Sequence, residues 1–124
     1  MTWSLDARIP VTLVADDAAL LAALRAGPPA GLLVEAPPPP ALPAGAVALA
    51  SFDPLLAAHA ARCACCGGQS PAAAALDRLF QARVRGACPW YERIVALVET
   101  TDARAQVEDA LRGDRLAVAR FRSG

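Results

Sequence analysis

The feature that most constrains this chain is its alternation of short, β-branched apolar runs with alanine- and leucine-rich stretches of helical length. Ile9 to Ala15 reads IPVTLVA, Gly31 to Ala36 reads GLLVEA, Ala46 to Phe52 reads AVALASF, and Arg93 to Glu99 reads RIVALVE. Each has the length and residue types of a strand buried on both faces. Between and after them lie helical signals. Asp16-Asp17 supplies an N-cap for a helix to about Ala26, which Gly27-Pro28-Pro29 stops. Ser70-Pro71 opens a second helix to about Arg85, with Leu76, Leu79, Phe80 and Val84 on one face and Gly86 beyond its end. Thr100-Thr101-Asp102 caps a third, to Arg112, and Asp53-Pro54 begins a short helical stretch ending near Arg62. The tail from Asp114 to Gly124 fits neither period. Strands of this type joined by helices require crossover connections, so the expected fold class is α/β: a small three-layer sandwich with a mostly parallel four-stranded sheet. At 124 residues the chain holds one domain, 1–124. Pro37 to Pro40 reads as an exposed polyproline spacer.

Charge narrows the partners. Twelve basic and twelve acidic residues cancel, which removes the electrostatic footprint of a nucleic-acid or anionic-membrane binder, so neither is expected. Every basic residue is arginine, which excludes Schiff-base chemistry and a lysine on a nucleotide phosphate. Asp6 and Arg8 interrupt the start before an apolar segment forms, and no apolar run approaches a membrane span; the expected location is cytoplasmic.

Three of the four cysteines sit in Cys63-Ala64-Cys65-Cys66, followed by Gly67-Gly68. In a chain without a secretory segment this points to metal or redox chemistry rather than a disulfide framework. A tight turn can direct three thiolates onto one zinc ion at about 2.3 Å, and the glycines permit that turn. His59 is the one histidine, four residues before Cys63, and is the candidate fourth ligand, with water the alternative. Cys88 is left out, because the intervening helix would carry it roughly 24 Å away at 1.5 Å per residue. The same cysteines also admit a thiol enzyme, with a reactive thiolate and His59 as base, or buried thiols with no ligand.

Where an α/β nucleotide-binding domain carries its phosphate loop, this chain has Ala15-Asp16-Asp17-Ala18, with no glycine to admit a phosphate and two carboxylates on the helix dipole. The expected role of these aspartates is a helix cap. Glu99-Thr100-Thr101 lies at a strand's carboxyl end, where open α/β sheets place ligands. A carboxylate finishing a buried strand needs a partner, so Glu99 is a candidate neighbour of the cysteine site.

Taken together, CACCGGQSPAAAALDRLFQARVRG and the following RIVALVETTD resemble the middle of the CobW-type metallochaperone GTPases, where a Cys-x-Cys-Cys motif opens a helix and the next strand ends in Glu-Thr-Thr-Gly. DARIPVTLVA is similar to that family's first strand, and DRLAVARFR to the stretch after its Glu-Thr-Thr segment. The resemblance implies a transition metal, zinc or similar, on Cys63, Cys65 and Cys66. It also implies a P-loop-GTPase-like remnant: the phosphate loop has no counterpart, Arg62 replaces a glycine before the first cysteine, and Asp102 replaces the glycine of the Glu-Thr-Thr-Gly segment. The family's guanine-reading segment and C-terminal domain have no counterpart before Gly124. GTPase activity and bound nucleotide are therefore not expected. The expected function is metal handling or regulation by a metal-binding, nucleotide-blind domain. The alternative is a non-catalytic interaction module that pairs with itself or with a full-length GTPase relative, its cysteines vestigial.

Overall fold

The computed structural model describes residues 7–56 and 69–124. The elements run β1 (Ile9–Val14), α1 (Asp17–Arg25), β2 (Ala30–Glu35), β3 (Ala46–Phe52), α2 (Pro71–Val84), β4 (Ile94–Leu97), α3 (Thr101–Gly113), α4 (Arg115–Arg120) and β5 (Phe121–Ser123). The strands form one sheet in the order β3-β2-β4-β1-β5, and every neighbouring pair is parallel. The α/β class and the parallel sheet follow the sequence expectation. The strand count does not: the tail supplies a fifth strand of three residues.

Local sequence explains the boundaries. The Asp16 carboxylate accepts from Ala19 N at 2.7 Å and starts α1. The Ser70 hydroxyl accepts from Ala73 N, with Pro71 at the first helical position, and Gly86 follows α2 at φ +71°. Thr100 caps α3 through its hydroxyl, and Asp114 caps α4. The expected third helix thus ends near its predicted place but is not the last one. Of the helical stretch expected from Asp53 to Arg62, residues 53 to 56 form a turn and the rest lies outside the described residues.

Chain order places the helices. Travelling from β1 to β2 crosses the sheet in one direction, and travelling from β3 to β4 and from β4 to β5 crosses it in the other. A right-handed crossover therefore puts α1 on one face and α2, α3 and α4 on the opposite face. The two cores agree with this. Leu20 and Leu24 of α1 pack with Leu32, Val34, Val95 and Leu97. Leu76 and Leu79 of α2, Val107 and Leu111 of α3, and Ala117 of α4 pack with Val11, Leu33, Ile94 and Phe121. The central strands face helices on both sides, which is why they read as continuous apolar runs.

No helix among the described residues is long and apolar enough to cross a membrane.

Candidate functional site

Neighbouring strands β1 and β4 send their chains to opposite faces, so the carboxyl ends of β1, β2 and β4 frame the crevice in which open α/β sheets bind ligands. A cleft of about 420 Å³ opens there against α1. Its apolar wall is Leu20, Leu21, Val34 and Leu97, and Pro37, Pro39 and Pro43 of the β2–β3 connection close the far side. The tetraproline is thus more than a spacer, since two of its residues wall the cleft.

The polar groups of this cleft are carboxylates. Asp17, Glu35 and Glu99 line it, and among the described residues no basic one does. Glu35 is the organising one. Its Oε1 accepts from the backbone amides of Glu99 at 2.9 Å and Thr100 at 3.0 Å, and its Oε2 accepts from the Thr100 hydroxyl at 2.9 Å. An internal carboxylate therefore takes the donors at the start of α3 that an incoming phosphate would need. On the other helix, Asp16 occupies the Ala19 amide. Both helix N-termini that point into the crevice already carry an anion of the chain's own. Asp16 has the capping role expected of it.

Glu99 was expected to need a partner as a carboxylate finishing a buried strand, but it lies two residues past the end of β4 and is exposed. The carboxylate that ends an apolar strand and is paired is Glu35, on β2. The chain carried the same signal there, in GLLVE, as in IVALVE. The cysteine site that Glu99 was expected to neighbour, with Cys63, Cys65, Cys66 and His59, lies outside the described residues.

Both flanks of the cysteine segment are held by local hydrogen bonds. Asp53 accepts from Leu55 N at 2.9 Å just after β3, and Ser70 caps α2 on the other side. One side chain of α3 joins the two flanks: Gln106 Oε1 accepts from Ala72 N at 2.8 Å, and Gln106 Nε2 donates to Pro54 O at 3.4 Å. Gln106 thus holds the strand-side and helix-side ends of the cysteine segment against one amide group. Nothing local in the sequence singles it out, since its two partners come from distant parts of the chain.

Among the described residues no group of three or more histidine, cysteine or acidic side chains could hold a metal ion. Asp17, Glu35 and Glu99 do not make up such a group, and the thiolates of the expected site, Cys63, Cys65 and Cys66, lie outside the described residues. Cys88 is free and half-buried against the larger core, beyond the carboxyl end of α2. Compared with known proteins, the chain matches no family model, no curated protein and no solved structure.

Proposed function

We propose that this chain is a nucleotide-blind relative of the CobW-type GTPases that captures one thiophilic metal ion, zinc or a similar cation, on Cys63, Cys65 and Cys66, with His59 as fourth ligand. The observation that carries the reading is the motif itself, three soft donors within four residues. Two structural facts support it. The flanks of the segment are held together by Gln106, which reduces the chain entropy that ligand convergence must overcome. Glu35 and Asp16 accept from the amides a phosphate would need, which supports a chain that does not take a nucleotide.

Capture proceeds by loss of the thiol protons as the sulfurs coordinate, so affinity falls in acid. Metal handling or regulation is the role this chemistry serves, and a CobW-type GTPase or a second copy of the chain is the partner proposed for it.

The test is metal content. Protein purified under reducing conditions is expected to hold about one equivalent of zinc per chain, and a variant with Cys63, Cys65 and Cys66 changed to serine none. A wild-type chain that arrives empty and takes up nothing from micromolar zinc would leave the interaction-module reading in its place.

A further inference from the structure

β3 is the outermost strand on its side of the sheet, with β2 as its neighbour. Ala36 N donates to Phe52 O across that pair at 2.8 Å, so the Phe52 carbonyl faces β2. Ser51 and, two residues earlier, Leu49 therefore turn their backbone amide and carbonyl groups the other way. Arg78 Nη2, donating to Ser51 O at 2.7 Å, marks that outer side. No strand among the described residues pairs with it.

Open sheets guard such edges with charge, proline, brevity or a bulge. The strand at the other edge, β5, has three residues and includes Arg122. β3 has seven, AVALASF, with neither charge nor proline. Its register shift lies at the start, opposite Ala30 and Gly31, and leaves Leu49–Phe52 in unbroken register with Leu32–Glu35. Arg78 guards one carbonyl, whose second lone pair stays available.

The two ends of the strand say what fits along it. Asp53 follows β3, exposed, with its Oδ1 accepting from Leu55 N and no ion pair among the described residues. Before β3, a Cβ on Gly45 would sit 3.3 Å from the Leu24 carbonyl oxygen, so the end of α1 lies against the start of the strand. Arg25, the next residue, is exposed there and also makes no ion pair among the described residues. A strand of the same sequence laid antiparallel on β3 brings the acidic end of each copy to the arginine end of the other. The faces agree as well. Phe52 packs into the core beneath α2, so Asp53, next along, turns to the face of α1, and a two-fold axis perpendicular to the sheet keeps the two α1 faces on one side. Local roles account for each charge alone, since Arg25 offsets the α1 dipole and Asp53 holds a turn. They do not account for opposite charges at the two ends of an uncharged edge. A chain of zero net charge also does not repel its own copy.

We propose that two copies of this chain pair along β3, antiparallel about a two-fold axis near Ala50, forming one continuous sheet in which Asp53 of each copy meets Arg25 of the other. This names the surface for the second-copy partner of the functional reading, and the pairing does not depend on the thiolates.

Sedimentation velocity on the full chain, from about 1 µM to 1 mM, is expected to show a reversible equilibrium between monomer and dimer. Hydrogen exchange followed by NMR assigns the surface: the Leu49 and Ser51 amides are expected to exchange more slowly as concentration rises, and those of β5 at an unchanged rate. Arg25→Glu sets two acidic groups against each other at both ends of the pairing and is expected to weaken the dimer about tenfold. Adding Asp53→Arg is expected to restore it. Raised salt is expected to weaken the unaltered dimer and to strengthen the Arg25→Glu one. The variant with Cys63, Cys65 and Cys66 changed to serine is expected to dimerise as the unaltered chain does, which separates failure of metal capture from failure of pairing. The proposal is overturned by a chain that stays monomeric across this range, by a dimer whose Leu49 and Ser51 amides exchange at the monomer's rate, by one that Arg25→Glu leaves unchanged, or by one that is lost with the three thiols.

Discussion

Tyr91 shows how much one side chain can decide in a chain this small. It is buried, its hydroxyl donates to Leu79 O at 2.7 Å, and its ring lies so close to β2 that a Cβ on Gly31 would sit 2.8 Å from it. Only glycine fits at that point of the strand, although glycine is otherwise unfavourable there. Burial pushes the Tyr91 phenol above its ordinary range, nearby Cys88 pushes the same way, and Arg83 opposes both. A neutral phenol held this way stabilises the fold fully below the unfolded tyrosine value of about 10, and that stability is lost as pH rises beyond it. The chain has one tyrosine, so tyrosinate absorbance reports this group alone. Its ionisation is expected to coincide with loss of the far-UV circular dichroism signal; titration near pH ~10 with the helices intact would show the ring to be accessible. At this scale the sequence was a partial guide. A carboxylate ending an apolar strand was a visible signal, and it pointed to Glu99 when the paired residue was Glu35. Which of two such glutamates turns toward a neighbouring strand depends on strand order, and strand order is not local information.

Among the elements, those with a strong period were legible. The runs IPVTLV and AVALASF, the cap at Asp16 and the Ser70-Pro71 start all stand where the residues placed them. The tail was not legible, because a helix of six residues and a strand of three are shorter than either period can declare. Tertiary contact decides it: Ile9 and Phe121 pair across β1 and β5, and Phe121 meets Phe80 edge to face with centroids 6.1 Å apart. Gln106 is the element-scale counterpart, a contact between α3, α2 and the end of β3 that no single segment encodes. Ala72 is fully buried, so Gln106→Ala leaves its amide orphaned and is expected to cost about 1–2 kcal/mol in denaturant unfolding. If the thiolate reading is right, the same substitution loosens both flanks of the cysteine segment. Zinc affinity measured by chelator competition is then expected to fall about fivefold with every cysteine in place. An affinity that does not move would separate the clamp from metal capture and leave it a purely structural contact.

The whole molecule carries no net charge, but the zero conceals a separation. Carboxylates gather at the cleft beyond the carboxyl ends of the strands, and arginines gather at a second cleft, before β1. The acidic crevice yields a prediction about nucleotides. A guanine nucleotide added with magnesium meets occupied donors at the crevice: the Glu99 and Thr100 amides already bond Glu35, and the Ala19 amide already bonds Asp16. Amide resonances of residues 15–17 and 97–100 are therefore expected to stay in place at millimolar nucleotide. Glu35→Gln removes the charge but supplies neither a glycine-lined loop nor a lysine, so it is expected to leave the crevice empty of nucleotide and to lower stability by about 1 kcal/mol. Saturable shifts at Asp16 and Thr100 in the unaltered chain would mean that phosphate displaces the internal carboxylate, and the nucleotide-blind reading would fall with it.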